Sequence, residues 1–331
     1  MSEIMGYGEP FGDLEIIRPI STLRSAIVYE AQRGTEKVLL KISHDGFHAK
    51  LKREAEFLWH LREQKIDYPL LPSILPAHRD TSLAYGKTAV SQRTKYYCVF
   101  KHISGDLLRA MLFKNPQPWF KHAGWIGLSL ADVVGFLHQH NRLHLALYPE
   151  AVFISLDKAD VPRLTLLDLG LLAPADKGHP IADWNPRTLP YSYTAPELLQ
   201  AVPKASYATD VYGIGSIMYE MLTGHAPFIT SSQSGLDTLE NVLQGKLQPI
   251  VRPDLKELPR STQRALSFQQ QKRQENALEL ARDLQKTLPS VPKRMRESLI
   301  NWRNLSFFLW TILIITFIVA TVLSVTTVSI Y

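Results

Sequence analysis

A chain of 331 residues that is 45% hydrophobic and 21% charged holds enough apolar material for a large folded core, and its formal charge of +6 is spread along its length. No long basic run interleaves with aromatic residues, which disfavours nucleic acid as a partner. Cys98 is the single cysteine, so an intramolecular disulfide is excluded, and no Cys/His cluster has zinc spacing. In chain order, residues 1–13 contain Gly6, Gly8 and Gly12 and are expected to form a flexible leader without the charged-then-apolar pattern of a signal peptide. Residues 14–20, 25–31 and 38–42 are apolar, β-branched runs parted by turn residues, which predicts three antiparallel strands. Ala49 to Leu61 predicts a helix with Leu51, Ala55, Leu58 and Leu61 on one face. Cys98 lies in an apolar, strand-like run and is expected as a small core residue. Ile126, Leu130, Val133, Val134 and Leu137 then recur at the i, i+4, i+7, i+8, i+11 spacing of an amphipathic helix.

The C-terminal part changes character. Leu288-Pro289-Ser290-Val291-Pro292 has the composition of a linker, and Lys293, Arg294, Arg296 and Arg303 follow with only Glu297 opposing them. Leu305 to Tyr331 is 27 residues without a charge, a proline or a glycine. About 20 such residues in a helix rise roughly 30 Å, enough to cross a bilayer core. The basic flank predicts, by the positive-inside rule, that everything before the span lies in the cytoplasm. Trp302, Trp310 and Tyr331 are placed to sit at the two interfaces.

The chemistry-bearing segments come between. Ala26 to Ala31 reads Ala-Ile-Val-Tyr-Glu-Ala, Val38-Leu39-Leu40-Lys41 ends a strand, and Glu54 sits in the helix that follows. Tyr96 to Gly105, His144-Leu145-Ala146-Leu147-Tyr148-Pro149-Glu150-Ala151, Asp168-Leu169-Gly170 and Ala195-Pro196-Glu197 come next, then Asp210 to Gly215 and Leu222 to Phe228. In this order and at this spacing they resemble the protein kinase family from about residue 14 to about 287. The resemblance implies an α+β, two-lobed kinase-like fold, with a small antiparallel β lobe and a larger helical lobe, to which the uncharged tail adds the expectation of one C-terminal transmembrane helix. Together with the composition of the two ends, the expected organisation is a leader over 1–13, the kinase-like domain over 14–287, a basic Pro-containing juxtamembrane linker over 288–304 and the span over 305–331. Lys41 is then expected to contact nucleotide phosphates and pair with Glu54, and Asp168 to hold Mg²⁺. His144 is expected against the Asp-Leu-Gly turn, Asp210 on the backbone of the loop, and Glu197 in an ion pair with Arg273.

The departures from the family pattern matter more. Its catalytic base falls on Ala146 and its metal-holding Asn on Ala151, and a methyl group can neither take a proton nor bind a metal. Tyr148 stands at the position of the base-flanking Lys, and Leu145 at that of the Arg that would grip a phosphate on the segment holding Thr188, Tyr191, Ser192, Tyr193 and Thr194. The glycine loop is replaced by Ser21-Thr22-Leu23-Arg24-Ser25-Ala26, where Leu23 and Arg24 obstruct backbone approach to phosphate and Arg24 offers a charge instead. The resemblance therefore implies ATP as nucleotide and Mg²⁺ as a weakened metal, in a catalytically impaired pseudokinase. Such a protein regulates or scaffolds through a protein partner, such as an active kinase or its substrate, beside the membrane that its tail enters. The alternative is an unorthodox, low-activity Ser/Thr kinase. The chain is similar to bacterial membrane-anchored Hanks-type kinases without an outer sensor domain.

Overall fold

The computed structural model describes residues 4–288 apart from 80, 115–119, 157–161, 176–188, 201–202, 229–234, 246, 253–254 and 256. The small lobe is one antiparallel sheet and a helix. Its chain order is β1 (Pro10–Phe11), β2 (Leu14–Thr22), β3 (Ala26–Arg33), β4 (Glu36–Ser43), α1 (His48–Glu63), β5 (Ile74–Leu75), β6 (Gly86–Val90) and β7 (Arg93–Lys101). The strands lie in the order β1-β2-β3-β4-β7-β5, with β6 also paired to β7. The three strands expected from 14–20, 25–31 and 38–42 are β2, β3 and β4; β2 and β4 extend beyond the expected bounds, and β3 starts one residue later and ends two residues later. β2 slips register against β3 on either side of Pro19, which has no N–H to give to the ladder.

Alternation within β4 sorts its side chains. Val38, Leu40 and Ile42 join Ile27, Tyr29, Tyr97 and Val99 in one apolar cluster, so Leu39 and Lys41 point to the opposite face. α1 buries Leu51, Ala55, Leu58 and Leu61, the expected stripe, and adds Lys50 and Glu54 to it. A leader was expected before the first strand, but residues 4–13 are packed onto the sheet. The Met5 N–H donates to the Tyr29 hydroxyl at 3.2 Å, β1 pairs with β2, and Phe11 is buried.

The larger lobe begins with β8 (Asp106–Leu107), α2 (Leu108–Lys114), α3 (Phe120–Gln139) and β9 (Arg142–Leu143). β10 (Val152–Leu156), β11 (Pro162–Leu166) and β12 (Ala173–Pro174) follow, then α4 (Tyr207–Thr223), α5 (Gly235–Gln244), α6 (Glu257–Ala265) and α7 (Ala277–Thr287). α3 buries all five predicted core positions and packs against α4 and α7. α4 is enclosed along nearly its whole length, and a Cβ on Gly215 would stand 2.8 Å from that of Ala265, so the α4–α6 crossing needs glycine there. β10 pairs with β11 and β8, and β12 with β9, which ties the loop after β9 to the segment after β11.

One compact unit spans Met1–Thr287 and a second spans Leu288–Tyr331, of which only Leu288 is described. Among the described residues, no helix is long and apolar enough to cross a membrane. The span expected over 305–331, and the linker over 288–304 beyond its first residue, lie outside the described residues.

Candidate active site

The cleft is assembled from β4, α1, the β2–β3 turn and the loops around β10 and β11. Lys41 leaves β4 on the face away from the apolar cluster, and residues four apart on α1 share one side of the helix, which brings Lys50 and Glu54 toward it. The Lys41 ammonium donates to both Glu54 oxygens at 2.8 and 2.6 Å, to the Leu167 carbonyl at 3.2 Å and to Asp168 Oδ1 at 3.1 Å. Lys50 donates to Asp168 Oδ2 at 3.3 Å and to Ser25 Oγ at 2.9 Å. The Tyr148 hydroxyl donates to the same Asp168 oxygen at 3.2 Å and accepts the Arg24 N–H at 3.2 Å. The structure thus brings together Lys41, Glu54 and Asp168, the three site residues named from sequence.

These groups are shut off from solvent: Lys41 and Glu54 are 1% exposed, Asp168 0% and Lys50 8%. Burial pushes the Asp168 carboxyl up, but the ammonium groups of Lys41 and Lys50, aided by His144, outweigh it and hold it well below the usual carboxylate range. Burial likewise pushes the Lys41 ammonium down, and the charges of Asp168 and Glu54 reverse that and raise it. Burial and the nearby Asp168 charge push the Tyr148 hydroxyl well up, so it remains a donor at neutral pH.

The loop after β9 is fixed from below by α4. Asp210 accepts the backbone N–H of His144 at 2.8 Å and of Leu145 at 2.7 Å, and lies 2.9 Å from His138 Nε2. Leu145 is held at φ +63°, a left-handed conformation that a non-glycine residue adopts only when its surroundings impose it. Burial lowers the His144 ring below its ordinary pKa; the neutral ring donates from Nε2 to the Asp168 carbonyl at 2.7 Å and accepts the Ala146 N–H at Nδ1 at 3.3 Å. Gly170 takes φ +64°, where a Cβ would collide with the His144 carbonyl, so the Asp-Leu-Gly turn needs its glycine. Glu197 and Arg273 form the expected buried, two-pronged pair at 2.7 and 2.8 Å. His144, Asp210 and Glu197 therefore hold the places inferred from sequence.

Magnesium fits this arrangement poorly. It needs open oxygen ligands at about 2.0–2.1 Å in octahedral geometry. Both Asp168 oxygens are already engaged by ammonium and hydroxyl groups, and the second ligand position is the fully buried methyl of Ala151. Among the described residues, no group of three or more His, Cys, Asp or Glu side chains is placed to hold a metal ion.

Three participants were not recognised from sequence. Lys50 lies one helical turn before Glu54, which is the signal that could have found it. Ser25 and Arg109 carried no such signal. Arg109 donates to Glu150 Oε1 at 2.9 Å, to Glu220 Oε1 at 2.5 Å and to the Tyr193 hydroxyl at 2.5 Å, so Glu150 faces α2.

The sequence model of the protein kinase domain matches residues 82–295, more than half of the chain, and starts after the altered glycine loop, Lys41 and Glu54. The serine/threonine-protein kinase PknB of Mycolicibacterium smegmatis is 24% identical over 307 residues, covering 90% of this chain and 45% of that protein. The human serine/threonine-protein kinase ULK3 is 31% identical over 176 residues, 50% of this chain and 35% of its own. The CDPK-related kinase 5 of Arabidopsis thaliana is 31% identical over 134 residues, 40% of this chain and 21% of its own. The chain spans about half the length, or less, of the curated relatives it matches. Domains of this kind use ATP and Mg²⁺. With its antiparallel small lobe, its Lys41–Glu54 pair, its Asp-Leu-Gly turn on His144 and the family match over the larger lobe, this chain belongs to the protein kinase domain family.

Proposed function

We propose that this protein is a catalytically impaired kinase-domain protein, a pseudokinase, that regulates or scaffolds a protein partner at the cytoplasmic face of a membrane. The observation that carries this reading is the replacement of both reactive positions by methyl groups, Ala146 and Ala151, within a loop whose backbone is otherwise held in place by Asp210 and His144. Loss of a general base alone typically costs about 10²–10⁴-fold, and the altered glycine loop falls on the same reaction. The retained Glu197–Arg273 pair and Asp210 contacts support a role in which the fold, rather than turnover, is what the partner meets. An active kinase or the substrate of one is the partner class that the family suggests. The uncharged segment 305–331 behind a basic flank supports membrane attachment.

The alternative, a slow Ser/Thr kinase, is favoured by one observation, the intact Lys41–Glu54 pair at 2.6 Å. Phosphoryl transfer depends largely on positioning and charge neutralisation, so a missing base does not by itself abolish it. Transfer of radiolabelled γ-phosphate from ATP to a basic protein substrate decides between the two, using the full chain in detergent. The wild type is expected to stay at the level of Lys41→Ala. Transfer by the wild type that is lost in Asp168→Ala would overturn the pseudokinase reading.

A further inference from the structure

The poor fit to magnesium has a structural cause that points to a different ligand chemistry. Lys50 is buried beside Asp168 with one N–H on Asp168 Oδ2 and one on Ser25 Oγ, and an ammonium carries three. Next to it lies a cavity of about 240 Å³ whose polar lining is Arg24, Ser25, Lys50 and Tyr148, with Ala146 on the floor. Among the described residues no carboxylate lines this cavity, while two cationic side chains and two hydroxyls do. Phe47, the residue just before α1, also borders it, and the first turn of α1 carries no acidic residue and no side-chain cap on its N–H groups. The cavity is therefore suited to an anion. A divalent cation placed here would meet Lys41 and Lys50 as like charges at short range, and would have to displace both from Asp168.

We propose that the cleft binds a phosphate-bearing ligand without a divalent cation, with the Lys50 ammonium taking the place of the metal and Arg24 closing over the phosphate. This rests on the reading of the cleft as a degenerate nucleotide site. Lys50 supplies one fixed positive charge beside Asp168, already positioned by Ser25 and in no need of recruitment from solution. Arg24 belongs to the segment that replaces the glycine loop, so the side chain that blocks backbone approach also supplies the compensating charge. The phosphoryl group is the chemistry recognised; a nucleotide and a simple polyphosphate are its two sources.

The test is isothermal titration of the full chain in detergent with ATP and, separately, with pyrophosphate, each in EDTA and in excess Mg²⁺. At least one probe is expected to bind in EDTA with affinity equal to or above that in Mg²⁺. Binding of ATP alone identifies a nucleotide site, and equal binding of pyrophosphate identifies phosphate as sufficient; both support the proposal. Lys50→Met is expected to weaken binding in EDTA about tenfold or more, as befits a lost charge-assisted hydrogen bond, and to make Mg²⁺ improve it. Lys50→Arg, which keeps the charge, is expected to retain binding in EDTA. Binding by the wild type that needs Mg²⁺, no binding of either probe, or wild-type affinity in a folded Lys50→Met would overturn the proposal. If Lys50→Met fails to fold, the wild-type comparison of EDTA with Mg²⁺ and the Lys50→Arg variant still decide it. Phosphate transfer is a separate readout, so a metal-dependent but inactive protein would sink this inference and leave the pseudokinase reading standing.

Discussion

Buried charge on this protein is arranged in two opposite ways. In the cleft, Lys41, Lys50, Glu54 and Asp168 compensate one another within hydrogen-bonding distance, so removing one partner leaves an unmatched charge out of reach of water. Asp132 on α3 is held differently: burial pushes its carboxyl up to about 6, and a hydrogen bond from Tyr68 opposes that only in part. A folded-state pKa above the unfolded value near 3.9 means that the fold favours the protonated acid. The stability this gives is fully present below about pH 4 and is lost as pH rises toward the folded value. Asp132→Asn, which keeps an acceptor for Tyr68, is therefore expected to be more stable than wild type at pH 7 by roughly 1–3 kcal/mol. Thermal unfolding measured from pH 4 to pH 7 should show that advantage vanish at the acid end; an advantage independent of pH would contradict the assignment.

At the scale of elements, the segment before β2 shows how glycine can be misread. Gly6, Gly8 and Gly12 within so short a run suggested flexibility, yet Gly8 at φ +78° and Gly12 at φ +65° serve turns on either side of β1. The Gly8 N–H donates to the Ile16 carbonyl at 2.9 Å and the Ile16 N–H to the Glu9 carbonyl at 3.0 Å, so the segment closes against β2. Phe11 is 1% exposed and meets the Tyr97 ring edge-on at 5.0 Å between centroids. Emptying such a site removes transfer energy and leaves a cavity, at a cost of about 3–5 kcal/mol. Phe11→Ala should lower the urea midpoint accordingly with the slope unchanged. A shift under about 1 kcal/mol would mean that the segment is not part of the cooperative unit.

Across the whole molecule, the two lobes meet through the same side chains that fill the cleft. The Arg24 N–H on the Tyr148 hydroxyl and the Ser21 hydroxyl on the Glu150 carbonyl at 3.4 Å join the β2–β3 turn to the loop of the larger lobe. A family position normally given to a lysine thus becomes an interlobe tie in Tyr148. At this scale too, the proposed attachment to a membrane makes a plain prediction. The full chain is expected in the membrane pellet, resistant to high salt and to alkaline carbonate and released by detergent, because 27 uncharged residues bury far more apolar surface than an ion pair could hold in place. Release by salt or carbonate would show a peripheral protein and remove the anchor from the reading.

The sequence alone determined the family resemblance, the strands β2 to β4, helices α1 and α3, and the presence of alanine at 146 and 151 where the family pattern has Asp and Asn. Those follow from period, from motif order and from residue type, all of which are local or additive along the chain. It also determined the Glu197–Arg273 and Asp210 contacts, since these were carried by motifs in register. Only the tertiary structure decided what the altered residues do together. Lys50 and Asp168 are separated by 118 positions, and Arg24 and Tyr148 by 124. No periodicity encodes such pairs, because they depend on how β4, α1 and the loop after β11 converge in three dimensions. Nor does residue type reveal that both Asp168 oxygens are taken, since a carboxylate reads the same in sequence whether it faces a metal or two lysines.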